Sequence, residues 1–306
     1  MNKNKILKTV LASSIFAMSS FALDLPANKL VDATWLKNNM ADKNLVIVDI
    51  REDGKAYKAG HIPGAIKWAV KDFRETRYKD VPGYLPAPLT FKRLMKKSGI
   101  TKDSAVVFYS DGKANDSYTI AGLGVFVAEY YGVKNTAILN GGMASWKAVA
   151  KDISTDKVKA TKSNWDISEI NVDNVAYIGN VDSAVELKTA QLIDSRGDAQ
   201  VNGTKKHPKV LKKGHVPGAK HVFVGNFTKI VDGVAFLNPD GAKAAMEKAN
   251  VKIGDPIIWY CNTSWYASGA WFAGKYLAGA KNSKVYDGSM VDYTRLPKRK
   301  LVKGDI

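Results

Sequence analysis

The apolar positions of this chain come in short unbroken runs rather than in alternation. Leu45–Asp49 reads LVIVD, Ala105–Tyr109 reads AVVFY and Pro256–Tyr260 reads PIIWY. A strand of that kind is apolar on both faces, as a strand held between two layers of helix must be. The pattern predicts strands at Leu45–Asp49, Ala65–Trp68, Ala105–Tyr109 and Thr136–Leu139, with helices at Thr90–Lys97, Ala114–Tyr130 and Met143–Val149. The alternation returns with strands at Gln191–Asp194, Lys220–Phe223, Pro256–Tyr260 and Lys284–Tyr286, and with a helix at Trp265–Leu277. Short strands alternating with helices imply an α/β fold with mainly parallel sheets.

The second series repeats the first. LVIVDIRE (45–52) and AGHIPGAIKW (59–68) are matched by AQLIDSRGD (190–198) and KGHVPGAKHV (213–222). SAVVFYSDG (104–112) is matched by DPIIWYCNT (255–263), and ILNGGMASW (138–146) by VYDGSMVDY (285–293). Four blocks in one order predict two domains, residues 23–150 and 165–306, joined by a polar, unpatterned linker at 151–164. The second copy has a longer path from Asp-x-Arg to Gly-His, and Val201–Lys212 reads as a polar surface insertion.

Residues 1–22 stand apart from this pattern. Lys3, Lys5 and Lys8 precede an apolar stretch, Val10–Met18, and Ser20-Phe21-Ala22 offers small residues for cleavage. That is the composition of a secretory signal, and the stretch is shorter than the ~20 residues a membrane-spanning helix needs. The expected location is therefore periplasmic, without a membrane span. The 306 residues carry a formal charge of +17; residues 1–22 hold three lysines and no acid, which leaves +14 on the remainder. The lysines are scattered and no nucleic-acid motif accompanies them, so a small anionic substrate is a better expected partner than nucleic acid.

The chain has one cysteine, Cys261. An exported protein with one cysteine cannot form an internal disulfide, so the thiol is either a small buried hydrophobe or a reactive group. Cys261 follows a strand and precedes a helix, where loop N–H groups and the helix N-terminus favour a thiolate and an anion carried on it. No metal site is expected, because His61, His207, His215 and His221 show no ligand spacing with Cys261.

The paired Asp-x-Arg, Gly-His-x-Pro-Gly-Ala and strand–Cys-loop–helix blocks resemble the tandem rhodanese-type sulfurtransferases, over essentially the whole chain after residue 22. The resemblance implies a fold of two tandem rhodanese-like domains, no cofactor, and catalysis in the second copy alone, since Ser110 stands where the first copy would carry the cysteine. It also implies a two-step reaction. Cys261 takes a sulfane sulfur from a small anionic donor of the thiosulfate or 3-mercaptopyruvate type, holds it as a persulfide, and passes it to a thiol, cyanide or protein acceptor. By the same resemblance the backbone amides of Asn262, Thr263, Ser264, Trp265 and Tyr266 stabilise that persulfide.

Departures from the family pattern bear on the donor. Thiosulfate-type members read C-R-K-G-[VT]-T and mercaptopyruvate-type members C-G-S-G-V-T, where this chain reads C-N-T-S-W-Y. Gln200 occupies the position of a family arginine. Lys205, Lys206, Lys212 and Lys213 of the insertion read as a solvated run rather than as a replacement clamp. Trp265 and Tyr266 suit either a narrow aromatic pocket or packing of the loop. Arg51 and Arg196 read as ion pairs at strand ends, with Arg196 retained as a weaker site candidate. His61 is a second, as a residue facing an interdomain cleft. Gly60, Pro63 and Gly64 read as turn formers.

Three other readings compete. Phosphatases and arsenate reductases of this fold use C-x₅-R, whose arginine grips a tetrahedral anion, but Ala267 stands at that position. A domain kept for protein contacts alone would not need a cysteine at the expected place. A non-catalytic carrier of persulfide sulfur or selenium, serving a periplasmic partner, remains the alternative to a turnover enzyme.

Overall fold

A computed structural model describes residues 23–77 and 81–306; the signal-like residues 1–22 lie outside the described residues. The first half contains β1 (Leu30–Val31), β2 (Leu45–Asp49), β3 (Ile66–Lys67), β4 (Glu75–Arg77), β5 (Val81–Tyr84), β6 (Ala105–Tyr109) and β7 (Thr136–Leu139). The second contains β8 (Val175–Ala176), β9 (Gln191–Asp194), β10 (Lys220–His221), β11 (Thr228–Val231), β12 (Val234–Leu237), β13 (Ile257–Tyr260) and β14 (Ser283–Tyr286). One sheet runs β1-β7-β6-β2-β3 and the other β8-β14-β13-β9-β10, the same order twice. Every pairing in the two is parallel, with Ile47 opposite Val107 and Ile258 opposite Leu192. The fold is therefore α/β, two tandem domains each built on a mainly parallel sheet. The central strands β6 and β13 are wholly buried, which is why their sequences lack alternation.

Both copies tie the same strand ends to the same turns. Arg51 Nη2 donates to Asp49 at 2.5 Å and to Gly60 O at 2.7 Å; Arg196 Nη2 donates to Asp194 at 2.6 Å and to Gly214 O at 2.9 Å. Tyr109 and Tyr260 accept the amides of Ile62 and Val216 at 3.2 Å. The Asp-x-Arg and Gly-His blocks thus build one scaffold twice, with or without a cysteine nearby.

The domains meet through equivalent helices. Tyr118–Tyr130 is buried around nearly its whole circumference, because one side rests on its own sheet and the other on Trp265–Phe272. Two glycines allow the contact: a Cβ on Gly122 would lie 2.8 Å from Gly269 Cα, and one on Gly269 2.7 Å from Thr119 Cα. The first helix starts at Tyr118 rather than at Ala114, since Ala114–Ser117 form a turn closed by Ala114 N to Ser117 Oγ at 2.8 Å. The second is α-helical to Phe272 and widens into a π-turn over Ala273–Leu277, where Gly274 backs onto the Trp259 ring.

Two antiparallel hairpins, β4–β5 and β11–β12, have no counterpart in the sequence-based prediction. Each reaches the opposite domain. Leu237 N, at the end of β12, donates to Asn140 Oδ1 at 2.8 Å; Leu85 N, just after β5, donates to Asp287 Oδ2 at 2.9 Å. Asn140 and Asp287 occupy matching positions in the ILNGGM and VYDGSM blocks, so the two hairpins are exchanged by a pseudo-two-fold relation. Residues 150–171 have no regular structure beyond a bridge from Ser154 to His61, and Trp165 packs edge-on to Phe91 of the first domain. Among the described residues no helix is long and apolar enough to cross a membrane.

Candidate active site

Cys261 lies one residue beyond β13, at the carboxyl edge of its sheet, where open α/β folds place their ligands. It is 2 % exposed. Its loop is pinned to the turn after β14: Met290 N donates to Cys261 O and Val291 N to Asn262 O, both at 3.0 Å. Ser289 completes the hold. Its Oγ accepts Cys261 N at 3.2 Å and Ser264 N at 3.1 Å while donating to Tyr286 O at 3.0 Å. Ser264 and Ser289 both have positive φ, 60° and 46°, a strained conformation for residues with a Cβ. The hydrogen bonds through Ser289 keep them there.

The backbone amides of Ala267, Thr263 and Tyr266 favour the thiolate form of Cys261. Ser264 N is taken by Ser289, and Ala267 contributes in addition to the residues expected from the sequence. Burial pushes the Cys261 thiol above its ordinary range despite these amides, and the Asp194 carboxylate adds to the rise. The expectation that loop and helix would favour the thiolate is corrected to that extent: three dipoles are in place, and desolvation outweighs them in the resting site.

The first domain supplies the cover. Arg74, at the end of the short helix Val70–Phe73, crosses the interface, where its Nη2 donates to Ser264 Oγ and, at 3.1 Å, to Asp287 Oδ1. Both members of this ion pair are buried. Burial pulls Arg74 below the usual arginine range, while Asp287 and then Cys261 favour its charged form. Gly83 of β5 lies on the loop, where a Cβ would come 2.6 Å from Thr263 O. Ser264 Oγ is 3.1 Å from Gly83 O and 2.7 Å from Thr263 O as acceptors. Arg74, Gly83, Asp287 and Ser289 were missed from sequence. A signal for Ser289 was available: it aligns with Gly142, itself at φ 51°, so a serine there marks a side chain retained at a glycine backbone.

The other expected residues are placed as follows. Asn262 Nδ2 donates to Gln200 Oε1 at 2.7 Å, so the two neutral amides at the family's cation positions bind each other. Arg196 is buried against Asp194; burial opposes its charge, and Asp194, Tyr260 and Cys261 outweigh that and raise it. Its Nε and Nη2 serve Asp194 and Gly214 O. His61 is stacked on Tyr57 at 3.9 Å and bonded to Tyr57 O at 3.0 Å, which sets it in its own domain rather than against Cys261. Lys206, Lys212 and Lys213 bond the carbonyls of Val210, Pro297 and Thr204, not the cysteine loop. Trp265 and Tyr266 help line a cavity of about 820 Å³ over the Ser110 loop, with Arg51, Lys113 and Lys147. The Tyr266 hydroxyl donates to Asp116 across the interface.

Comparison with known proteins agrees with this geometry. The rhodanese-like domain model matches residues 32–149 and again 180–296. The chain belongs to the rhodanese-like domain family. These rhodanese-like copies are 28 % identical to a thiosulfate sulfurtransferase of Corynebacterium glutamicum, over 90 % of this chain and 91 % of that protein. They are equally identical to the sulfur carrier protein TtuD of Thermus thermophilus (90 % and 97 % covered) and to the 3-mercaptopyruvate sulfurtransferase of Escherichia coli (86 % and 94 %). Among solved structures, an anaerobic ergothioneine biosynthesis enzyme from Chlorobium limicola superposes with a TM-score of 0.80 at 21 % identity, covering 90 % of this chain and 70 % of that one. That likeness is one of fold.

Proposed function

We propose that this sulfurtransferase works in the periplasm through a persulfide on Cys261, taking sulfur from a small anionic donor of the thiosulfate or 3-mercaptopyruvate type. The observation that carries the reading is the placement of the chain's single cysteine at a strand's carboxyl end, in a loop held by Ser289 and by Met290 and Val291. In the first step the thiol proton goes to solvent and the thiolate attacks the sulfane sulfur. From thiosulfate the S–S bond breaks and sulfite leaves with the bonding pair; from 3-mercaptopyruvate the C–S bond breaks and pyruvate leaves as its enolate. The persulfide anion is then held by the Thr263, Tyr266 and Ala267 amides, which act as an oxyanion hole acts on oxygen. A thiolate, cyanide or protein thiol takes the terminal sulfur and returns the Cys261 thiolate.

A carrier that hands sulfur to one protein partner is the second reading, supported by the sealed cysteine and by the neutral Asn262–Gln200 pair. One preparation tests both readings and the location. Protein released by osmotic shock should have the mass of a chain lacking residues 1–22. It should gain about 32 Da, one sulfur atom, after exposure to a donor, and Cys261→Ser should gain nothing. Steady-state turnover of thiosulfate or 3-mercaptopyruvate with cyanide or a dithiol supports the enzyme. A stoichiometric adduct without turnover supports the carrier, and no adduct with either donor ends both readings.

A further inference from the structure

The pseudo-two-fold relation exposes one charge that only the second site has. Arg74 lies nine residues after Ala65 of the first Gly-His-x-Pro-Gly-Ala turn, and Thr228 lies nine after Ala219 of the second. Both side chains cross to the opposite domain's loop. Thr228 Oγ1 donates to Asn115 O at 2.9 Å beside the Ser110 loop, while Arg74 donates to Ser264 Oγ in the Cys261 loop. The anchors differ in the same sense, neutral Asn140 in one and Asp287 in the other. A guanidinium with its counter-charge therefore occurs where the sulfur occurs, and a neutral pair where it does not.

Arg74 also has capacity to spare. Its Nη2 is engaged twice, but its Nη1 is buried without a hydrogen-bond partner, which is costly for a charged donor unless a ligand completes it. Asn262 and Gln200 neutralise no anion, and the Nε and Nη2 of Arg196 are committed to Asp194 and Gly214 O. Arg77 is stacked over Tyr84 at 4.8 Å with Nη2 on Leu85 O.

We propose that Arg74 is the donor-specificity cation of the sulfur-transfer site: one arm of its guanidinium sets the Ser264 turn, and the free Nη1 receives the anionic remainder of the sulfur donor. This rests on the Cys261 persulfide reading. As the donor's sulfur–sulfur or carbon–sulfur bond breaks, the electron pair moves onto that remainder, and a cation beside it favours departure. A dianion such as thiosulfate gains more from it than a monoanion such as 3-mercaptopyruvate.

The test uses Arg74→Lys, Arg74→Gln and the double variant Arg74→Thr with Asp287→Asn, which installs the residues of the other copy at both matched positions, Thr228 and Asn140, and removes both charges of the buried Arg74–Asp287 pair. With thiosulfate, kcat/KM should fall about 100-fold in Arg74→Gln and in the double variant, less with 3-mercaptopyruvate, and recover in part in Arg74→Lys. A second readout does not need turnover: the ratio of Cys261 alkylation rates by anionic iodoacetate and neutral iodoacetamide should fall about tenfold on loss of the cation. Equal losses for both donors with an unchanged alkylation ratio overturn the proposal and leave Arg74 a packing residue. Wild-type protein that takes sulfur from neither donor ends the persulfide reading, and the alkylation ratio then decides Arg74 by itself. A thiol that neither reagent reaches overturns both.

Discussion

The loops after β6 and β13 start from the same scaffold and end differently. Ser110 precedes its interface glycine, Gly122, by twelve residues, whereas Cys261 precedes Gly269 by eight. The shorter loop closes on the sulfur and leaves it sealed. The longer one runs through a turn at Ala114–Ser117 and helps line a cavity of about 820 Å³. Around them the frame is shared: Met143 N meets Ser110 O at 2.8 Å as Met290 N meets Cys261 O at 3.0 Å. The differences collect at matched positions, Ser110 against Cys261, Gly142 against Ser289, Asn140 against Asp287 and Thr228 against Arg74. A duplicated fold thus became one site and one non-site through few side chains and a loop length.

The largest expected effect comes from moving the sulfur. Cys261→Ser should lower sulfur transfer by at least about 1,000-fold, and adding Ser110→Cys should restore none of it. The first loop has neither the tight wrap nor a counterpart of Arg74, Thr228 standing at the matched position. Turnover in the double variant, or a persulfide on residue 110, would break the comparison by showing that the scaffold alone suffices.

Ser289→Gly tests the frame at a finer level, since it installs the residue of the first copy. Strain at φ 46° is relieved, but the acceptor for Cys261 N and Ser264 N is lost. Thermal stability should change little, the two effects opposing one another, while turnover falls about tenfold as the loop loosens. Unchanged turnover with unchanged melting would reduce Ser289 to a packing residue.

The smallest effect is electrostatic. Burial holds the Cys261 thiol above its ordinary range, so the folded protein keeps this proton at pH values where the unfolded chain, near the ordinary thiol value of about 8.5, has lost it. The stabilisation is present below that pH and is lost as pH rises through the folded value. Urea unfolding of wild type and Cys261→Ser, compared at about pH 7 and about pH 10, should shift against the wild type at the higher pH. Many buried tyrosines titrate in the same direction and cancel in the difference. A difference independent of pH would place the thiol in its ordinary range.

Much of the fold was legible because buried parallel strands write themselves as apolar runs. β2, β6, β7 and β9 match their predicted limits residue for residue. The two hairpins were not, since β4 and β11 carry charged and exposed positions and are held by carboxylate and amide contacts more than 50 residues away. The site divides in the same way. The candidate nucleophile stood out by its singleness and its place after a strand, while Arg74 and Asp287, whose partners lie across the interface, left no local pattern.

By itself, the sequence determined the duplication, the sheet order's building blocks and the position of the lone cysteine at a strand's end, because these depend on local periodicity and on aligned repeats. Only the tertiary structure decided that Arg74 and Gly83 of the first domain lie on the Cys261 loop of the second. It also decided that desolvation outweighs the loop dipoles at the resting thiol. Both depend on which surfaces meet when the Gly122 and Gly269 helices cross, and contact between distant segments is a property of the packed chain rather than of any stretch within it.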